Sequence, residues 1–194
     1  MNPLPFILLA ISLPLLLGGC GNKVVKEPEL KERGEYGDEI AYIKGSDTPY
    51  TGTQIGYWKG EKVSETNYKD GKKDGPATAW YSSGEKHEEG NYKDGEMEGL
   101  HVRWHKNGQK ETEGNYKDGK ADGLFVEWYE NGQKLMKGNF KDSKPEGLVV
   151  HWHGNGQKMA EVNFKDGKLV EGSDKYWNSK GEPVATNEAA NNYP

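Results

Sequence analysis

The chain has 194 residues, among them 27 glycines, 11 tyrosines, 6 tryptophans and a single cysteine, with a formal net charge of −5. That length allows one domain or two small ones, and one cysteine excludes an internal disulfide framework or a cysteine-based zinc cage. Basic and acidic residues are interspersed along the chain, which leaves no basic stripe for nucleic acid and no polybasic membrane patch.

Residues Leu4 to Leu17 form a leucine-rich run, short for a membrane span and broken by Pro5 and Pro14. It ends in Leu17-Gly18-Gly19-Cys20, after which the chain turns polar. A short apolar segment followed by small residues is the pattern of a secretory signal. The tetrapeptide resembles the lipobox of bacterial lipoproteins. That resemblance implies a signal peptide over 1–19, lipidation of Cys20 and membrane attachment through the lipid. Met1-Asn2-Pro3 departs from the pattern, since it carries no Lys or Arg. Gly21 follows the cysteine, not Asp, which by analogy with proteobacterial sorting implies the outer rather than the inner membrane. Residues 20–37 hold the cysteine and a stretch rich in Lys, Glu, Gly and Pro without apolar period, expected to be a flexible tether.

A 24-residue repeat fills most of the rest. Asn67, Asn91, Asn115, Asn139 and Asn163 keep that step, each followed by an aromatic residue (Tyr68, Tyr92, Tyr116, Phe140, Phe164) and then Lys-Asp. Trp80, Trp104, Trp128 and Trp152 keep it too. Two turn signals recur in each unit. One is the Asp-Gly of Asp70-Gly71, Asp94-Gly95, Asp118-Gly119 and Asp166-Gly167, and the other the Asn-Gly of Asn107-Gly108, Asn131-Gly132 and Asn155-Gly156. Asn, Asp and Gly tolerate positive φ, so these pairs are strong hairpin signals, and the segments between them have ordinary strand length. Each unit is therefore a β-hairpin. Tandem hairpins predict an all-β fold: a single-layer antiparallel meander over 38–182, of about ten strands and some 45–50 Å in length.

Three-residue loops at the Asn-Gly turns would set Trp104 on the same side as Lys110, Thr112, Gly114 and Tyr116. Because the period is even, one face would then collect Leu100, Val102, Trp104, Tyr116, Leu124, Val126, Trp128, Phe140, Leu148, Val150, Trp152 and Phe164, with Trp80 and Tyr92 in the preceding unit. The other face would carry His101, Arg103, Glu111, Glu113, Glu127, Lys137, His151 and Glu161. Gly90, Gly114 and Gly138 fall in mid-strand, where a glycine makes room for a neighbouring indole or phenol lying flat on the backbone. The aromatic face is either a binding surface or the sheet's own minimal core. Near the C-terminus Gly172, Trp177 and Gly181 are displaced by one residue, and the Asn- and Ala-rich stretch 183–194 is expected to be disordered.

The units resemble the MORN-repeat variant family. Tyr50-Thr51-Gly52 is similar to the start of a MORN repeat, and aromatic-Lys-Asp-Gly-x-x-(Asp/Glu)-Gly recurs at Tyr68 to Gly75, Tyr92 to Gly99 and Tyr116 to Gly123. The resemblance implies an elongated, twisted single-layer sheet that serves as a non-catalytic interaction surface with a protein partner. Bacterial members are often labelled antitoxins, which supplies one alternative, and a carbohydrate or cell-wall binder using the Trp/Tyr row is another. Open terminal strands also allow edge-to-edge self-association.

No motif for catalysis stands out: no serine has a glycine-elbow context, no glycine-rich loop precedes a helix, and no cofactor is implied. His151 and His153 share a strand side, as do His101 and His105, but the two pairs sit about 19 Å apart at ladder spacing, too far to share a metal. The expectation is solvated histidines and no metal site. The acids of Asp-Gly-x-x-(Asp/Glu)-Gly, including Glu98 and Glu146, are too few per turn for calcium and are expected to serve the turns.

Overall fold

The computed structural model describes residues 23–26, 30–33 and 40–191. Strands β1 (Lys23–Lys26), β2 (Leu30–Arg33) and β3 (Ile40–Ile43) precede the repeats. The array comprises β4 (Gly52–Trp58), β5 (Glu61–Lys69), β6 (Lys72–Trp80), β7 (Lys86–Lys93), β8 (Glu96–Met97), β9 (Gly99–Trp104), β10 (Lys110–Lys117), β11 (Lys120–Trp128), β12 (Lys134–Lys141), β13 (Lys144–Trp152) and β14 (Lys158–Lys165). It closes with β15 (Lys168–Leu169), β16 (Lys175–Trp177), β17 (Pro183–Val184) and the short helix α1 (Asn187–Asn191).

One 15-stranded antiparallel sheet runs in the order β1-β4-β5-β6-β7-β9-β10-β11-β12-β13-β14-β16-β17, with β8 and β15 as short extensions paired to β7 and β14. At ladder spacing its 13 main-path strands span about 57 Å, longer than the sequence alone suggests because both ends add strands. The meander follows from turn chemistry. Asp118 and Gly119 have φ of 48° and 71°, so the Asp-Gly pair makes a mirror-type turn that suits right-twisted strands, with Lys117 facing Lys120 across it. Ser143 replaces the glycine in one unit and still holds φ 62°.

The distribution of side chains between the two faces departs from the sequence expectation. Lys110 pairs with Trp104 on one face, as three-residue loops require, but the register then shifts between Lys110 and Thr112, leaving Glu111 as an extra residue. This bulge reverses parity. Thr112, Gly114 and Tyr116 go to the face opposite Trp104, while Glu113 returns to the tryptophan side and pairs with Val102 and Val126. Equivalent shifts follow Trp80, Trp128 and Trp152. The aromatic residues therefore form two rows on opposite faces. Trp80, Trp104, Trp128 and Trp152 share theirs with Glu113, Lys137 and Glu161; Tyr92, Tyr116, Phe140 and Phe164 share the other with His101, Arg103, Glu127 and His151.

The tyrosine face is the core. Its rings form an edge-to-face chain, Tyr92–His101–Tyr116–Phe125–Phe140, with centroids 5.2 to 6.4 Å apart. Phe125, Val149, Val162 and Phe164 are all buried although no second sheet covers them. The mid-strand glycines make this possible: a Cβ on Gly114 would sit 2.3 Å from Cδ2 of Phe125, and Gly90 and Gly138 stand under His101 and Val149 in the same way. The groups lying on the backbone are thus an imidazole, a phenyl ring and an isopropyl group, not indoles.

Described residues near both ends form elements where loose segments were expected. β1 and β2 fall inside the segment read as a tether, β1 pairing with β4 and β2 with β3. Ala41 of β3 bonds through its amide to the Gly71 carbonyl, tying that hairpin to the first turn. At the other end β17 pairs with β16, and α1 buries Ala190 in the core cluster with Ala160, Val162 and Tyr176, so the expected disordered tail caps the array.

Gly114→Ala is expected to destabilise the protein by about 1–3 kcal/mol through overpacking against Phe125. In chemical denaturation the pair Gly114→Ala/Phe125→Ala should lose less than the sum of the single losses. Strict additivity would show that the ring does not depend on the glycine.

Candidate functional site

The tryptophan face is ordered by a repeated set of charges. Each bulged hairpin brings a lysine from one unit over the indole of the next: Lys62 over Trp80 at 4.6 Å, Lys86 over Trp104 at 5.2 Å, Lys110 over Trp128 at 5.8 Å, Lys134 over Trp152 at 5.9 Å and Lys158 over Trp177 at 5.2 Å. Four of these lysines also pair with a glutamate three residues on: Lys62–Glu65, Lys86–Glu89, Lys110–Glu113 and Lys158–Glu161. The fourth unit differs, because Lys137 stands where the others have that glutamate. The indoles are half-buried, and their outer surface is occupied by an ammonium group.

Hydrogen bonds between units lock the pitch. The hydroxyls of Tyr81 and Tyr129 donate to the carbonyls of Trp104 and Trp152, and Nε2–H of His105 and His153 donates to Trp128 and Trp177. Asn107, Asn131 and Asn155 each accept the amide of the residue two further on and donate Nδ2–H to a carbonyl in the next unit. On the opposite edge the second acid of Asp-Gly-x-x-(Asp/Glu)-Gly accepts the Asp amide of the following turn: Asp74 from Asp94, Glu98 from Asp118 and Glu146 from Asp166. Those acids serve the turns. Among the described residues no three His, Cys, Asp or Glu side chains converge as metal ligands.

What remains open to solvent on the tryptophan face is a leucine row. Leu100, Leu124 and Leu148 are 52%, 40% and 47% exposed at one repeat step, while Val102 and Val126 beside them are buried. These leucines stand outside the core at a fixed step.

The polar groups of the tyrosine face play structural roles. His101 is only 6% exposed, contrary to the expected solvated histidine. Its Nε2–H donates to the Asn91 carbonyl at 2.8 Å, and Nδ1 is buried without a partner. Burial holds its pKa below the ordinary value, and does the same to His151 and His87. Glu88 and Glu127 are raised by burial. The Tyr116 phenol is pushed up to about 12, first by burial and then by the Glu88 carboxylate. In each of these groups the first cause of the shift is burial within the sheet's own packing.

The residues of the lipobox, Leu17, Gly18, Gly19 and Cys20, lie outside the described residues. Among those described, no helix is long and apolar enough to cross a membrane. The lysine lids could be glimpsed in sequence, since Lys86, Lys110, Lys134 and Lys158 recur after each Asn-Gly or Ser-Gly turn, but their role depends on a register that only the bulge sets.

The fold and this surface define a class, the tandem β-hairpin repeat protein with one self-packed face and one presented face. Four consecutive units, residues 73–94, 97–118, 121–142 and 145–166, match the family described as MORN repeat variant, so this array is built of repeats of that kind. Repeats of this family commonly mediate interactions with proteins or membranes and are generally non-enzymatic. No curated protein matches the chain at a significant level.

Stability should fall on acidification, and His101 carries part of the fall. Its folded pKa lies below its ordinary 6.5, so its contribution is complete above that value and is lost as pH drops through it toward the folded one. His101→Phe, which installs the residue that Phe125 places in the same slot, should flatten the decline in melting temperature between about pH 6.5 and 5. His87, His151, Glu88 and Glu127 titrate in both proteins, so the difference between the two curves isolates His101. Parallel curves would remove it as a source of acid sensitivity.

Proposed function

We propose that the protein is a lipid-anchored, non-catalytic scaffold of the cell envelope that presents the tryptophan face of its sheet to a protein partner. The observation that carries the surface assignment is the contrast between the faces. The tyrosine face is filled by its own rings and capped by α1, whereas the other exposes Leu100, Leu124 and Leu148 at the repeat period. The anchor rests on Leu17-Gly18-Gly19-Cys20 at the end of the apolar run, with Gly21 favouring an outer-membrane destination. A glycan-binding reading loses its main support, because lysine ammonium groups sit over Trp80, Trp104, Trp128 and Trp152, where a sugar ring would stack. No feature of the surface favours the antitoxin reading over a general scaffold. Edge-to-edge self-association is disfavoured at the C-terminal end, where two-residue β17 begins with Pro183, so any such pairing would use the β1 end.

Mass spectrometry of the membrane fraction, wild type against Cys20→Ala, tests the anchor. The expected wild-type species begins at an acylated Cys20, and the variant should be soluble and unacylated. An unprocessed, soluble wild-type chain would overturn the envelope assignment. Cross-linking of the native protein in its membrane, followed by identification of the adduct, tests the scaffold itself. Absence of any protein adduct from the tryptophan face would count against it.

A further inference from the structure

On the tryptophan face, unit four breaks the charge pattern of its neighbours. Glu65, Glu89, Glu113 and Glu161 each neutralise the lysine three residues before them, but Lys137 leaves Lys134 without that partner. Lys137 lies on β12 beside Leu124, with Val126 and Val150 as its direct cross-strand neighbours. Lys141, further along β12, and Lys117, at the end of β10, lie on the same face at the turn ends of their strands, where they face Lys144 and Lys120. Among the described residues no carboxylate lies within ion-pair distance of Lys117, Lys137 or Lys141, and all three are exposed. Two of the nearby acids are neutralised, Glu113 by Lys110 and Glu161 by Lys158, while Glu146 accepts the Asp166 amide and keeps its charge. Asp122, two residues before Leu124, is exposed, and Glu98 and Glu146 hold the same position before Leu100 and Leu148.

The spacing of the leucines is as informative as the charge. Leu100, Leu124 and Leu148 stand two strands apart, about 9.5 Å per step at ladder spacing. A heptad on an α-helix advances about 10.5 Å, so three heptad positions and three leucines drift apart by about 2 Å, within the reach of side-chain rotamers. Leu124 and Leu148 are each the fifth residue of a nine-residue strand. They therefore lie near the axis about which the sheet twists, where a row across the strands runs straight and a rigid rod can follow it.

We propose that the leucine row of units two to four is the docking groove for an acidic amphipathic helix of a partner protein, laid across the strands. Heptad apolar residues seat on Leu100, Leu124 and Leu148, and carboxylates on the flank meet Lys117, Lys137 and Lys141. This assignment rests on the scaffold reading above and specifies its partner. A face-to-face second copy related by a two-fold axis along β11 would bring Lys117 onto Lys141 of the other copy, which disfavours it. A fluid anionic bilayer would use the lysines but has no need of the regular pitch.

The test is fluorescence polarisation with the full chain in neutral detergent and a labelled helical peptide of about 18 residues, leucine at every seventh position and glutamates on both flanks. A second peptide carries lysines in place of the glutamates. The glutamate peptide should bind and the lysine peptide should not. Lys137→Glu, which restores the residue of the other units, should weaken binding at least tenfold at an unchanged melting temperature, and Leu124→Asn should do the same. Equal affinity for both peptides, no binding, or indifference to Lys137→Glu would overturn the proposal. So would co-sedimentation with phosphatidylglycerol vesicles, lost in Lys137→Glu, in place of peptide binding. Either failure with an acylated Cys20 and a cross-linked partner elsewhere on the sheet would leave the scaffold reading intact.

Discussion

A sheet without a covering layer must bury its apolar side chains against itself, and here the contact between a bulky side chain and a facing glycine makes that possible. Phe125 over Gly114, His101 over Gly90 and Val149 over Gly138 put side chains where a Cβ would otherwise stand. The rings thereby drop to the level of the backbone and meet Tyr92, Tyr116 and Phe140 edge to face. Burial of a few per cent exposure is reached with one layer of strands. Glycine in mid-strand is ordinarily a weakness; here the lost β-propensity is offset by the apolar surface it allows to be covered.

The second organising element is the bulge after each tryptophan. One extra residue, Glu111 in the unit between β9 and β10, separates two rows that the primary structure interleaves. Tyrosine, phenylalanine and glycine go to the packed face, and tryptophan, lysine and glutamate to the other. The presented face therefore gains a steady pattern of lysine over indole and lysine against glutamate, with neighbouring units bonded through Tyr81, His105, Tyr129 and His153. A surface built this way has a rigid pitch, which suits recognition of a partner that also has a period.

Capping completes the array. The hairpin of β2 and β3 packs on the first turn, and α1 sets Ala190 on the last units. β2 and α1 come from segments whose composition reads as solvated chain, because neither has an apolar period of its own. Their order is supplied by a preformed surface, as expected of terminal elements in repeat proteins. The inserted residue near Gly172 lies in the loop before β16, and the bonds from His153 and Asn155 reach across 24 residues there, one more than the 23 spanned from His105 and Asn107.

The primary structure by itself determined the repeat, its 24-residue step and the hairpins, because Asn-Gly and Asp-Gly restrict φ locally and recur at a fixed interval. It also determined which acids serve the turns, since Glu98 and Glu146 act within one step of their own position. Only the tertiary structure decided which aromatic row is core and which is presented. A strand alternates with a period of two, so a single bulged residue inverts the face of everything after it, and nothing in the side chain of Glu111 announces the bulge. The burial of His101, the lysine lids and the unpaired Lys137 follow from that register, because each is defined by a neighbour on another strand and not by a neighbour in the chain.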